Sequence, residues 1–178
     1  WEVVPSPTSV SLTAVSYGNG YWLALSPLYG PGGVPQPQTV LRSSDGLTWQ
    51  QLENVRGLEI PPNSFSLPLT FLNGRFLLKM LSDLETNIWK QSSDGQTWTD
   101  FPLPAGFPVN DITYANGLWV CVGFPGLFAR ATVPGAWIPD SSALTSASVD
   151  NVVYLGGHFH AFSRGSSGLQ EFSSADGI

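Results

Sequence analysis

Apolar and polar residues alternate in short runs on both sides of an Asn-Gly dipeptide. The runs read YGNGYW (17–22), FLNGRF (71–76) and YANGLW (114–119), with a looser copy YLGGHF (154–159). Apolar side chains at every second position are typical of β-strands. Asn-Gly between two such runs predicts a β-hairpin, because a type I′ turn needs positive φ at both central residues. Each copy therefore predicts two paired strands.

These copies recur at the period of a propeller blade. Gly20, Gly74, Gly117 and Gly157 follow one another at 54, 43 and 40 residues, and these spacings lie in or close to the range of roughly 40–50 residues per blade. A third run leads into a turn that reads SSDG at 43–46 and 92–95, and a fourth run leaves it through Trp49 or Trp98. The third copy keeps Gly135 and Trp137 of this turn. Each repeat is therefore predicted to be a four-stranded antiparallel meander.

The last copy of the turn is divided between the two ends of the chain. It stops at SSADGI (173–178), and WEVV (Trp1–Val4) supplies the missing outgoing strand. Closing a ring of blades removes unpaired sheet edges. We expect an all-β fold, a small β-propeller of four blades with four antiparallel strands each, closed by pairing Trp1–Val4 with the C-terminal blade. The chain is predicted to be one domain, with blades at about 10–53, 65–103, 108–140, and 148–178 plus 1–4.

Composition excludes several classes of partner. The net charge is −6 with only seven Lys and Arg residues, so the basic stripe of a nucleic-acid groove is missing, as is a basic patch for anionic lipid. No apolar run approaches the ~20 residues of a membrane span. Cys121 lies in the apolar run LWVCV and is predicted to be a small buried hydrophobe. The chain begins at Trp1 rather than Met, which favours a processed product or a piece of a longer protein.

The aspartate of the SSDG turn is predicted to be structural. A carboxylate on a tight turn accepts hydrogen bonds from backbone N–H groups of its own loop, which suits Asp45 and Asp94, with Trp49 and Trp98 packed behind. The motif resembles the Asp-box, or BNR repeat, of sialidase-like β-propellers, with one residue fewer between Asp and Trp. In that family the box is structural and distant from the active site, and the resemblance extends this role to Asp176.

Catalysis is not predicted. The resemblance raises glycoside hydrolysis, which in sialidases uses three arginines, a Tyr–Glu pair and an Asp acid. The five arginines here do not converge in an obvious way, and no glutamate stands beside a recognisable Tyr partner. His158 and His160 share one side of a strand, but a third metal ligand is not visible. We therefore predict no catalytic residue, no metal and no cofactor.

A ligand site is expected on the loops that vary between repeats. In a meander blade the Asn-Gly and SSDG turns share one face of the ring, and the other loops share the opposite face, where function usually resides. The Pro-rich loop 26–38 is the leading candidate because it presents an aromatic side chain suited to stacking. The candidate ligand-binding residues are Tyr29, Arg56, Glu59, Asp83, Glu85, Asn87 and Arg164.

These features favour a non-catalytic binding module, an adhesin or receptor-binding propeller for a glycan or a surface protein. The repeat arrays resemble those of bacterial surface proteins and phage tail fibres, which implies an extracellular or virion-surface location. The first alternative is a structural subunit of a virion or large complex, with neighbouring subunits as partners. The second is a sialidase-like hydrolase. Association of several copies is open, since weak sugar sites gain strength from multivalency.

Overall fold

The computed structural model describes residues 3–27, 38–58, 65–81, 87–140, 147–165 and 168–177. Within these ranges the chain forms fifteen β-strands and no helix. The same ranges accordingly contain no helical segment with the length and apolarity of a membrane span. The all-β prediction is confirmed.

The strands form four antiparallel sheets, in which each strand pairs with the next one along the chain. The first sheet contains β1 (Ala14–Gly18), β2 (Tyr21–Leu25), β3 (Val40–Ser43) and β4 (Gln50–Gln51). The second contains β5 (Phe65–Leu72), β6 (Arg75–Leu81), β7 (Asn87–Ser92) and β8 (Thr99–Asp100). The third contains β9 (Val109–Ala115), β10 (Leu118–Gly123), β11 (Leu127–Ala131) and β12 (Ile138–Pro139). The fourth contains β13 (Val149–Leu155), β14 (His158–Gly165) and β15 (Gly168–Ser174).

Each sheet begins with a hairpin whose loop is two residues long. Both loop residues have positive φ in all four hairpins: Asn19–Gly20 (50° and 83°), Asn73–Gly74 (46° and 75°), Asn116–Gly117 (51° and 77°) and Gly156–Gly157 (59° and 89°). Positive φ at both positions defines the type I′ turn, whose twist matches that of the flanking strands. The hairpins predicted from Asn-Gly are confirmed.

An aromatic pair lies at the same place in each hairpin, one ring on each of its two strands. The ring centroids are 4.9 Å apart in every pair: Tyr17–Trp22, Phe71–Phe76, Tyr114–Trp119 and Tyr154–Phe159. We call the face of a sheet that carries this pair its ring face, and the opposite face its back face. The pairs differ in burial, since Phe76 is 0% exposed whereas Trp22 is 37% exposed.

The structure divides into two compact units, Trp1–Phe101 (unit 1) and Pro102–Ile178 (unit 2). Unit 1 contains the first and second sheets, and unit 2 contains the third and fourth. Within each unit the back face of the earlier sheet packs on the ring face of the later one. The contacts in unit 1 involve Leu23, Leu25 and Val40 against Leu69, Phe76 and Leu78. Those in unit 2 involve Val120, Val122 and Phe128 against Val149, Val152 and Phe159.

The segment predicted to close the ring is described only in part. Val3 and Val4 belong to no strand, and Trp1 and Glu2 lie outside the described residues. The fourth sheet accordingly has three described strands where the other sheets have four. Closure by Trp1–Val4 stays a prediction, as does the assignment of residues 1–178 to one domain.

Candidate functional site

The predicted ligand-binding residues are described only in part. Tyr29, Glu59, Asp83 and Glu85 lie outside the described residues. Asn87 is the first residue of β7 in unit 1. Arg164 lies on β14 in unit 2 and is exposed. The predicted site on the variable loops therefore stays a prediction.

Arg56 lies beside the second SSDG turn. Its N–H donates to the Gln96 carbonyl and its carbonyl accepts from the Trp98 N–H, both at 2.9 Å, so Arg56 forms a parallel bridge with Thr97. Gly57 makes this approach possible, because a Cβ there would lie 1.9 Å from the Trp98 carbonyl oxygen. The sequence placed this loop on the face opposite the SSDG turns. In the structure, Arg56 of this loop is instead hydrogen-bonded to the backbone of Gln96 and Trp98, directly after the second SSDG turn. Strand order alone does not reveal this contact.

The aspartate of each complete SSDG turn is the centre of a local hydrogen-bond network. Asp45 Oδ1 accepts from the N–H groups of Leu47 (2.8 Å) and Thr48 (2.7 Å) and from the Ser43 hydroxyl (2.9 Å). The Trp49 indole N–H donates to the Gly46 carbonyl at 3.1 Å. The backbone bonds from Thr48 and Leu47, followed by the Ser43 hydroxyl, lower the pKa of Asp45 to about 2.

The second SSDG turn repeats this network in a more buried setting. Asp94 Oδ1 accepts from Gln96 N and Thr97 N, each at 2.8 Å, and from the Ser92 hydroxyl at 2.9 Å. Trp98, which is buried, donates to the Gly95 carbonyl at 2.9 Å. Burial raises the pKa of Asp94, but the bonds from Thr97, Gln96 and Ser92 together outweigh it, and the pKa lies below its ordinary value. Both carboxylates are thus ionised and engaged within their own turns.

The turns of unit 2 keep parts of the same pattern. Asp176 Oδ1 accepts from the Ser174 hydroxyl at 2.9 Å, and its Oδ2 lies 3.6 Å from Arg130 Nη1. In the third sheet, where Ser and Asp are missing, the Trp137 indole N–H donates to the Pro102 carbonyl at 2.7 Å. The tryptophan position therefore keeps a backbone acceptor even where the carboxylate has been lost.

A polar cleft of about 350 Å³ lies beside the second SSDG turn. Its lining residues come from the Asn-Gly turn, β7 and the start of the outgoing strand: Gly74, Arg75, Gln91, Ser92, Ser93, Asp94, Thr97 and Thr99. Arg75 Nη1 donates to Gln91 Oε1 at 2.6 Å, and Gln91 Nε2 donates to the Asp100 carbonyl at 3.2 Å. These bonds hold the guanidinium and the amide as a fixed polar wall.

The neighbouring hairpin of the first sheet supports this cleft. Asn19 Nδ2 donates to the carbonyls of Gly74 and Ser93, both at 3.0 Å, and the Tyr21 hydroxyl donates to the Ser93 carbonyl. Sequence reasoning missed the cleft because it treated both kinds of turn as purely structural. The available signal was Arg75, since the other Asn-Gly turns are followed by Tyr21 and Leu118.

The two histidines form no metal centre with a third ligand among the described residues. The rings of His158 and His160 are 6.4 Å apart. His160 Nδ1 lies 2.7 Å from Glu171 Oε1, and its Nε2 lies 3.2 Å from the Leu155 carbonyl. Both nitrogens of His160 therefore have partners within its own sheet.

Cys121 is not in the exposed setting of a reactive thiol, and three of the arginines lie in separate local environments. Cys121 is buried, and this burial raises the pKa of its thiol. Arg42 lies over the Tyr21 ring at 5.5 Å, Arg75 binds Gln91, and Arg130 lies near Asp176. Each of the three arginines thus contacts a different partner.

Comparison with known proteins identifies the fold class. The chain resembles the computationally designed Ika4 protein, with a TM-score of 0.54, 14% identity and 97% of each chain covered. It also resembles YCF48 bound to D1 peptide (TM-score 0.51, 15% identity, 98% of this chain and 52% of that one). A third likeness is to the extracellular domain of BT4673 from B. thetaiotaomicron (TM-score 0.56, 10% identity, 98% and 22%).

These likenesses show the fold alone, which is that of a small β-propeller whose four sheets are its blades. The chain spans about half the length of the YCF48 chain and about a fifth of the BT4673 chain. Glycoside hydrolases also match, at TM-scores of 0.43 to 0.49, and these weaker likenesses carry no argument about activity. Scans against family models and against curated proteins find no match.

Proposed function

We propose that this chain is a non-catalytic binding module that takes a polar ligand, of which a surface glycan is the leading class. The observation that carries the proposal is the polar cleft beside the second SSDG turn, which is lined by residues of that turn and of the Asn-Gly turn at Gly74. As part of this proposal, the four repeats are Asp-box repeats. We also propose that the module is part of a bacterial surface or phage tail assembly. This implies an extracellular or virion-surface location.

The chemistry of the cleft suits hydroxyl-rich ligands. A guanidinium offers a planar set of hydrogen-bond donors, and an amide side chain offers both donors and an acceptor. A threonine hydroxyl can donate and accept a hydrogen bond. Arg75, Gln91, Thr97 and Thr99 supply these groups around one cavity. Because Arg75 and Gln91 are already bonded to each other, little side-chain entropy is lost when a ligand replaces water. Such a site binds one sugar weakly, and several copies would add avidity.

The carboxylates near the cleft favour binding over hydrolysis. Most glycoside hydrolases use two carboxyl groups, one as the acid and one as the nucleophile or base, and sialidases pair an Asp acid with a Tyr–Glu nucleophile. Asp94 accepts three hydrogen bonds from its own turn, and Asp100 lies 2.6 Å from Lys90 Nζ. Neither is placed as a proton donor to a ligand in the cleft. Turnover of a fluorogenic sialoside by the purified chain would overturn this part of the proposal.

The test is binding of the purified chain to an array of bacterial and host glycans. We expect specific binding that Arg75→Ala and Gln91→Ala each reduce at least tenfold. Tyr29→Ala and Arg56→Ala test the variable-loop site predicted from sequence. Val133→Ser, on an exposed residue of unit 2, is the control for surface changes in general.

The pattern of losses decides between the sites. Loss in Arg75→Ala with binding kept in Tyr29→Ala places the ligand in the cleft. The reverse pattern places it on the variable loops and removes the cleft from the proposal. Absence of binding to every glycan favours the structural role, in which the partners are neighbouring subunits and the exposed apolar side chains of the first and fourth sheets supply the contacts.

A further inference from the structure

Two side chains of opposite charge line the polar cleft beside the second SSDG turn. They are the guanidinium of Arg75 and the carboxylate of Asp94, and the other described lining residues are glycine, glutamine, serine and threonine. The positive and the negative charge cancel, so the formal charge of the described lining is zero. The whole chain has a net charge of −6, and its overall field therefore does not attract anions.

The carboxylate of Asp94 has one oxygen that its own turn does not use. Oδ1 accepts the hydrogen bonds from Gln96 N, Thr97 N and the Ser92 hydroxyl. In the part of the chain that the structure describes, Oδ2 accepts no hydrogen bond. Burial raises the pKa of Asp94, but the hydrogen bonds of the turn lower it by more, so the carboxyl is ionised at neutral pH. Asp94 can therefore offer the cleft a charged acceptor.

Three hydroxyl groups of the cleft are also available to a ligand. They belong to Ser93, Thr97 and Thr99, which are all exposed. Among the described residues, none of these hydroxyls has a hydrogen-bond partner, and each can donate and accept. The described lining contains no aromatic side chain, so hydrogen bonds rather than stacking would select the ligand.

The guanidinium of Arg75 is held in place by a neighbouring amide. Its Nη1 donates to Gln91 Oε1 at 2.6 Å, and Gln91 Nε2 donates to the Asp100 carbonyl at 3.2 Å. An anion that bound both Nη groups would compete with Gln91 for Nη1. A sugar hydroxyl needs only one donor, so it can bind without breaking this contact.

The charge of Asp94 acts on a group at the edge of the cleft. Burial raises the pKa of Tyr21, and the negative charge of Asp94 raises it further. The Tyr21 hydroxyl donates to the carbonyl of Ser93, which is one of the lining residues. An anionic ligand in the cleft would meet the same negative charge.

Two adjacent hydroxyls of a neutral sugar would satisfy both charged groups, because one can accept from the guanidinium while the other donates to the carboxylate. An anionic sugar would lose hydration in a lining of zero formal charge, which does not repay that loss. We propose that the cleft selects neutral glycans with adjacent hydroxyls and discriminates against sialylated, uronic acid and sulfated ones. This inference rests on the proposed function and narrows its ligand class.

Ligands that differ only in charge test the selection. Each acidic glycan is compared with its carboxylate methyl ester, which removes the charge and nearly keeps the shape. We expect the ester to bind about fivefold more tightly, the order of a Coulomb effect between exposed charges about 4 Å apart. Acidic glycans that bind as tightly as their esters overturn the selection and leave the proposed function standing. No binding of any glycan, neutral or acidic, overturns the proposed function itself.

A matched pair of variants tests the role of Asp94. Asp94→Asn removes the negative charge and keeps the size of the side chain, so the preference for the ester should disappear, because Arg75 then remains the charged group of the described lining. Asp45 makes the same bonds in the first SSDG turn and is not among the lining residues. Asp45→Asn should therefore keep the preference. The same change in both variants overturns the role of Asp94.

Salt dependence tests the selection on the unmodified chain, whether or not the variants fold. Binding of a neutral glycan should change less than about twofold between about 20 mM and about 300 mM salt, because no charge is neutralised. Binding of an acidic glycan should become tighter over the same range, because salt screens its repulsion. An acidic glycan whose binding weakens with added salt is attracted by the cleft, and this result overturns the proposal.

Discussion

The first and second sheets have the same hairpin and different surroundings. Tyr17–Trp22 and Phe71–Phe76 have the same 4.9 Å ring separation on type I′ hairpins. Phe76 nevertheless lies in the core of unit 1, while Trp22 is partly exposed. The comparison separates local structure, the hairpin, from tertiary structure, the packing of one sheet on another. A short sequence is sufficient for the hairpin and its aromatic pair, but burial depends on which other sheet covers it.

The largest difference in the free energy of unfolding is expected when one ring of each aromatic pair is truncated. Phe76→Ala removes a fully buried side chain and should lower the free energy of unfolding by about 3–5 kcal/mol. The matched Trp22→Ala should lower the free energy of unfolding by less than half as much, because water already reaches that ring. Urea denaturation of both variants measures this, and equal losses would contradict the difference in burial.

The junction between the two sheets gives the next largest effect. Gly18→Ala places a Cβ inside the contact with the Phe71 ring and should cost about 1–3 kcal/mol. In a Phe71→Leu background the same change should cost less, because the smaller side chain can move aside. The double-mutant cycle reports this coupling, and an identical cost in both backgrounds would show that Gly18 matters for another reason.

The two SSDG turns of unit 1 should also differ. Asp94→Ala removes the acceptor for two backbone N–H groups above the buried Trp98 and should cost about 1 kcal/mol, since water partly replaces the carboxylate. Asp45→Ala removes the same bonds from a more exposed turn and should lower the thermal midpoint less. A larger loss for Asp45 would contradict the ranking.

The smallest effect is expected with acid. The pKa of Asp45 is lowered from 3.8 to about 2 in the folded chain, and that of Asp94 is also lowered. A carboxylate with a depressed folded pKa contributes stability above its unfolded pKa and loses it as the pH falls through the folded one. We expect the thermal midpoint to fall between about pH 4 and pH 2, with a shallower fall in Asp45→Asn. An unchanged slope in that variant would show that other carboxylates dominate.

Sequence reasoning was most successful where structure depends on neighbours along the chain. The Asn-Gly loops, with positive φ at Asn19 and Gly20 for example, follow from two adjacent residues. It was less successful where distant segments meet. The bridge between Arg56 and Thr97 and the cleft beside Arg75 join residues from different loops. Such contacts depend on packing between sheets, which alternation within one strand does not encode.

The two-residue turns have a consequence for how the chain folds. Every strand in the described sheets pairs with the strand just before or after it, so most pairings join residues close in sequence. Chains with such local contacts fold faster than those that must bring distant strands together, and a hairpin can form within about 1–10 μs. An early hairpin can therefore act as a template on which the next strand is added, and the order of synthesis would then also be the order of assembly.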